Sequence, residues 1–221
     1  MYFQEDTVLR MIEQLGAAYR ELMRLLDDLE AEGELNKRFR QLTGLDRATA
    51  KGLSVESLTD MLTPERRLAL CELTLMDVER FEHRMDTDDM QTERHRALML
   101  LCGIDVDEIA VLRAPLAKRT FHQCADLCGV ADTAALLRFL RTGGAYADAE
   151  DVLFLQLQSF AWPEDVRALL AEGEAFYALL LAETDEGLAK GSLPREEVLQ
   201  GRAALADLAA ASAPAHGGNR P

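Results

Sequence analysis

Val8, Ile12, Leu15, Tyr19, Leu22, Leu26 and Leu29 follow one another at alternating spacings of four and three residues. That spacing keeps one stripe of side chains on one side of an α-helix and is incompatible with the two-residue alternation of a strand. Leu9, Met23 and Leu25 widen the stripe beyond a strict two-stranded coiled-coil seam. The stripe therefore predicts a long first helix packed in a bundle, broken at Gly33.

Composition supports the same class for the rest of the chain. Of 221 residues, 48% are hydrophobic, only 6% are aromatic and 6 are proline, a mixture that favours helix over the aromatic and β-branched usage of sheets. The length suffices for a full core without disulfide or metal staples. The formal net charge of −15 disfavours nucleic acid and an anionic membrane as partners. The longest apolar run, 175–182, is too short to span a bilayer. No basic-then-apolar leader opens the chain, and Cys71, Cys102, Cys124 and Cys128 fit apolar helix faces, so a cytoplasmic setting with reduced thiols is expected.

Punctuation divides the chain further. After Gly33 a shorter helix carries Leu35, Phe39 and Leu42 up to Gly44, and residues 44–53 read as a connector. Ser54 caps a small helix, and Thr63-Pro64-Glu65 supplies the cap, first-position proline and acidic first turn of the next. That helix has Leu68, Cys71, Leu75, Val78 and Met85 as its buried stripe, and Asp86 begins another that runs to Cys102 before Gly103. In the second half, Asp105-Val106-Asp107-Glu108 reads as a capping box for a helix to Arg113, with Pro115 opening a separate one to Gly129. Asp132 caps the next, which ends at Gly143-Gly144; Tyr146 to Phe160 follows, and Pro163 starts a long helix to about Ala189. Gly191-Ser192-Leu193-Pro194 turns the chain into a last helix ending near Ala211, beyond which a disordered tail is expected.

Gly144-Ala145-Tyr146-Ala147-Asp148-Ala149, followed by Leu153-Phe154, resembles the turn and second helix of a tetratricopeptide repeat. The resemblance covers residues 132–161 and implies a helical hairpin with Leu136, Leu137 and Leu140 on its first helix. The first helix lacks the family's Trp and Leu-Gly pair. The whole chain also resembles an uncharacterised bacterial family of all-helical proteins. Three stretches carry that likeness: Glu5-Asp6-Thr7-Val8-Leu9-Arg10-Met11-Ile12, Gly144 to Glu150, and Gly191 to Val198. It implies a helical fold and brings no activity, cofactor or catalytic residue.

Few residues assemble into recognisable chemistry. His122, Cys124 and Cys128 form the one soft-ligand cluster, with the two thiols a helical turn apart, but no second ligand pair completes a zinc site. His83, His95 and His216 have no nucleophile at a suitable spacing, and His122 is set about 200° around a helix from Cys124. Asp88-Asp89 and Asp105-Val106-Asp107-Glu108 lie where helices begin, where capping accounts for acids. Trp162, Phe160, Phe176 and Tyr177 gather near a helix junction, as core or as the lining of a groove.

The expectation is an all-α protein: an N-terminal long-helix bundle over residues 1–103, tetratricopeptide-like hairpins over 104–211, and a tail at 212–221. No catalytic, cofactor-binding or metal-ligating residue is assigned. The expected function is a non-enzymatic scaffold or adaptor with a protein or peptide partner held on a concave face of residues 104–211. The alternatives are a small enzyme or metal or thiol sensor using His122, Cys124 and Cys128, and a homo-oligomer assembled through the N-terminal helix.

Overall fold

The computed structural model describes residues 2–212, with side chains from Thr7 onward. It is all-helical, with no strand among the described residues. Its contacts divide the chain between Cys128 and Gly129 into two compact units.

The first unit holds α1 (Tyr2–Leu22), α2 (Asp28–Thr43), α3 (Arg47–Gly52), α4 (Val55–Met61), α5 (Pro64–Phe81), α6 (Thr87–Cys102) and α7 (Asp107–His122). Within it α5 is the central element, packed by α1, α2 and α6. Leu68, Ala69, Leu70, Cys71, Leu73, Met76, Val78 and Phe81 are all buried, a spread that covers more than one face of the helix. A helix apolar on most sides belongs in the interior.

The apolar stripe of the first helix ends sooner than its spacing predicts. Val8, Leu15, Ala18 and Leu22 are buried, but α1 stops at Leu22, and Leu26 and Leu29 are 99% and 75% exposed. The chain restarts because Asp27 caps α2, its carboxylate accepting from the N–H groups of Leu29 and Glu30 at 2.8 and 3.0 Å. Arg80 of α5 fixes the break by donating to the Leu25 carbonyl at 3.1 Å and pairing with Asp28 at 2.8 Å. Gly33, expected to end the first helix, lies within α2.

The connector expected at 44–53 contains α3. Its start is capped by Asp46, and its last carbonyls, those of Ala50 and Lys51, accept from the Arg96 guanidinium of α6. Both ends of this short helix are thus satisfied from outside it. Gly44, the last-turn glycine of α2, adopts the left-handed conformation at φ 82°.

Pro115 lies inside α7 instead of opening a new helix. Proline at that position removes the bond to the carbonyl four residues back, that of Val111. Pro115 and Val111 both face solvent, so water can replace the missing donor. α6 stops before Gly103 as expected, and residues 104–128 belong to the first unit, with α7 packed on α6 and α1.

The second unit comprises α8 (Val130–Thr142), α9 (Tyr146–Ser159), α10 (Pro163–Ala182), α11 (Asp185–Lys190) and α12 (Arg195–Ala211). Gly129 caps α8, and Asp132, expected to be that cap, instead accepts from the Gly129 N–H at 3.0 Å. α10 ends at Ala182, seven residues before the expected stop, because Thr184 caps α11 by accepting from the Gly187 N–H. α8 and α9 pair as a hairpin across Gly144, at φ 68°, with Ala149 and Val152 fully buried. Of the tail expected at 212–221, Ser212 is the C-cap of α12, and residues 213–221 lie outside the described residues.

Two sequence stretches far apart in the chain meet here. Ala145, at the start of α9, provides no side-chain cap, and the Gly191 carbonyl accepts from the Ala147 N–H at 3.1 Å. A Cβ on Gly191 would lie 2.3 Å from Tyr146 Cδ2 and 2.7 Å from the Gly144 carbonyl oxygen. Ten residues on, within α12, a Cβ on Gly201 would overlap both Glu150 Oε1 and the Tyr177 hydroxyl. Glycine at both positions lets α12 close over the Tyr177–Glu150 hydrogen bond.

Two glycine substitutions should therefore act in opposite directions. Gly191→Ala sets a Cβ against the Tyr146 ring and the Gly144 carbonyl and should destabilise by about 1–3 kcal/mol. Gly33→Ala has nothing within 4 Å and should stabilise by about 0.5–1 kcal/mol. Urea unfolding followed by circular dichroism measures both.

Candidate functional site

A half-open cleft of about 660 Å³ runs along α1, α5 and α7, and Arg94 of α6 also lines it. Its size falls within the usual range of small-ligand pockets. α1 contributes Ile12, Leu15, Gly16, Tyr19 and Arg20, positions spaced to form one continuous helical face about 12 Å long. The buried Leu15 and Met76 side chains give it an apolar floor.

Polar groups arranged on that floor come from three helices. Arg113 of α7 donates through Nε to Glu72 Oε1 of α5 at 2.6 Å, with the two side chains 18% and 13% exposed. Burial pushes the Glu72 carboxyl above its usual range, and the neighbouring guanidinium opposes that rise. Tyr19 of α1 donates its hydroxyl to Glu79 Oε1 at 2.8 Å. That hydrogen bond, with some burial, raises the Tyr19 phenol above its ordinary value and keeps it a neutral donor.

Three further guanidiniums face the cleft, those of Arg20, Arg94 and Arg119. Among the described residues none of them is held in a hydrogen bond or ion pair. Elsewhere in the unit arginines are engaged: Arg47 with Asp77, Arg38 with Glu21 and Glu34, and Arg80 and Arg84 with Asp28. The site is an apolar-floored trough rimmed by cations free to take a ligand's acceptors.

The residues singled out by sequence lie elsewhere and are not brought together as a chemical site. Cys124 and Cys128 are buried, and their thiols donate to the carbonyls of Thr120 and Cys124 at 3.2 and 3.5 Å. The intervening Ala125–Leu127 is a tight 3₁₀ turn, so the two cysteines do not share an α-helical face, and His122 is exposed. No group of three His, Cys, Asp or Glu side chains among the described residues is placed to hold a metal ion. His83 pairs with Asp28 at 3.0 Å on the surface, and His95 lies half-buried on α6. His216 is outside the described residues. Asp88 and Asp89 occupy the first turn of α6, and Asp107 and Glu108 that of α7, where they suit the helix dipole.

The aromatic group also divides. Phe176 and Tyr177 are buried against each other, edge-on at 5.4 Å, while Trp162 is 66% exposed. The cleft arginines carried no local signal, since an isolated arginine on a helix reads as a solvated residue. Glu72 did carry one: it interrupts Leu70-Cys71-Glu72-Leu73, with apolar Leu68 and Met76 a turn away on either side. An acid in that setting needs a partner from another element.

Arg113→Met should leave Glu72 without its partner and cost about 1–3 kcal/mol at neutral pH. Because the folded state already holds the Glu72 proton more tightly than the unfolded chain, the defect should shrink as pH falls through the carboxylate range. Urea titrations of both proteins across that range measure it.

No curated protein and no solved structure matches the chain. No helix among the described residues is long and apolar enough to cross a membrane. The model of the family of unknown function DUF6483 matches residues 2–210, nearly the whole chain, and the protein belongs to that family.

Proposed function

We propose that the protein is a helical scaffold that binds a protein or peptide segment, with the cleft between α1, α5 and α7 as its binding site. The observation that carries this reading is a trough about two turns of helix long that combines an apolar floor with arginines from α1, α6 and α7 that hold no hydrogen bond or ion pair among the described residues. A trough of that length accommodates a short stretch of an extended chain, at about 3.3 Å per residue. The place differs from the concave face expected on residues 104–211: the groove favoured here is rimmed by arginines and lies in the first unit.

The second unit fits a scaffold in a supporting role. Its α8–α9 hairpin, with the glycine turn and buried Ala149, supports a repeat-like reading of residues 132–161. Four cysteines outside any disulfide, three of them buried, support a reducing cytoplasmic setting.

Gly16 provides a test. It lines the cleft on α1, and a Cβ there would meet only the Arg20 guanidinium, at 3.6 Å, an ordinary contact. Gly16→Leu should fill the trough while raising helix stability by about 0.5–1 kcal/mol. Peptides selected by display against the wild-type protein should lose binding to this variant, whose melting temperature should hold or rise. Selection that returns no binder, or binders indifferent to Gly16→Leu, contradicts the proposal.

A further inference from the structure

The occupant of the cleft can be specified from its charge. Four guanidiniums, those of Arg20, Arg94, Arg113 and Arg119, face three carboxylates, those of Glu72, Glu79 and Glu82, a surplus of one positive charge on a chain of net charge −15. The carboxylates are largely occupied within the protein: Glu72 by Arg113, and Glu79 by the Tyr19 hydroxyl. Of the charged groups left without an internal partner, Arg20, Arg94 and Arg119 outnumber the single Glu82 carboxylate, and guanidinium offers only donors.

Resting on the reading of this cleft as a peptide site, we infer that it recognises an acidic peptide segment, whose carboxylates are taken by Arg20, Arg94 and Arg119 while its apolar side chains lie on the floor beside Leu15 and Met76. Four properties favour this ligand. Guanidinium pairs with carboxylate through two parallel hydrogen bonds, which sets orientation as well as affinity. The three arginines come from α1, α6 and α7, so donors reach a bound segment from three helices. The half-buried Arg94 stands where water is partly excluded, and an ion pair there is screened less than one on the open surface. The acidic remainder of the protein opposes non-specific adhesion of acidic chains and leaves the cleft as the place where they are accepted.

Fluorescence anisotropy with a labelled short peptide alternating Glu with Leu tests the assignment, beside matched peptides carrying Gln or Lys in place of Glu. The Glu peptide should bind about tenfold or more tightly than the Gln peptide. Arg94→Gln with Arg119→Gln should remove that advantage, and the affinity should fall with added salt. Arg167→Gln with Arg138→Gln, the same charge change on exposed residues of α10 and α8, should leave it intact. Melting curves of the variants should match wild type, since neither cleft arginine holds an ion pair.

Equal binding of the Gln or Lys peptide would overturn the acidic assignment, as would displacement of the Glu peptide by inorganic phosphate beyond the effect of chloride at equal ionic strength. If the Glu peptide fails while display-selected peptides still bind and still depend on Gly16, the cleft reading survives and the acidic chemistry falls. If no peptide of either kind binds, both fall.

Discussion

Burying α5 on most of its surface obliges the polar groups it carries to find partners on other elements, and those partnerships organise the first unit. Asp77 is 1% exposed and accepts from Arg47 through both oxygens, at 2.8 and 2.5 Å, with Lys51 adding a third contact at 2.9 Å. That cluster draws α3 onto α5. Glu72 holds α7 through Arg113, Glu79 holds α1 through Tyr19, and Arg67 donates to the Gly103 carbonyl at the end of α6. Arg80 fixes the break between α1 and α2. The guanidiniums of Arg47, Arg80 and Arg84 lie 5.3–5.6 Å from the centroid of Phe81 and close the end of the helix. A charge on a buried helix is costly unless answered, so each answer fixes a neighbour's position.

The cleft follows from this arrangement. Its α5 wall is the same helix that anchors α1 and α7, and two of its carboxylates are held by those anchoring contacts. What remains is a set of cations that the fold does not use.

The sequence made the helices legible because their ends carry local chemistry. Ser54, Thr63 and Asp86 cap the helices they were expected to cap, and the Gly44 and Gly143-Gly144 stops fall where expected. It misled where two local rules competed. The apolar spacing through Leu29 outweighed the capping signal of Asp27 with Glu30 three residues on, and proline's preference for a first helical position obscured Pro115 on a solvated face. The cleft was largely hidden, because its arginines become notable only when the positions of carboxylates on other helices are known. Glu72 and Asp77, acids set in apolar runs, were the exceptions. They mark that long-range partners exist without naming them. The meeting of the Gly144 and Gly191 turns has the same character: each turn was readable, but their contact belongs to the tertiary fold.

The centrality of α5 is open to direct measurement by native-state amide hydrogen exchange. Amides from Leu68 to Val78 should be the slowest in the first unit, exchanging with a free energy equal to that of its global unfolding in urea. Exchange of α5 by a cheaper local opening, with α1 or α7 better protected, would contradict the account.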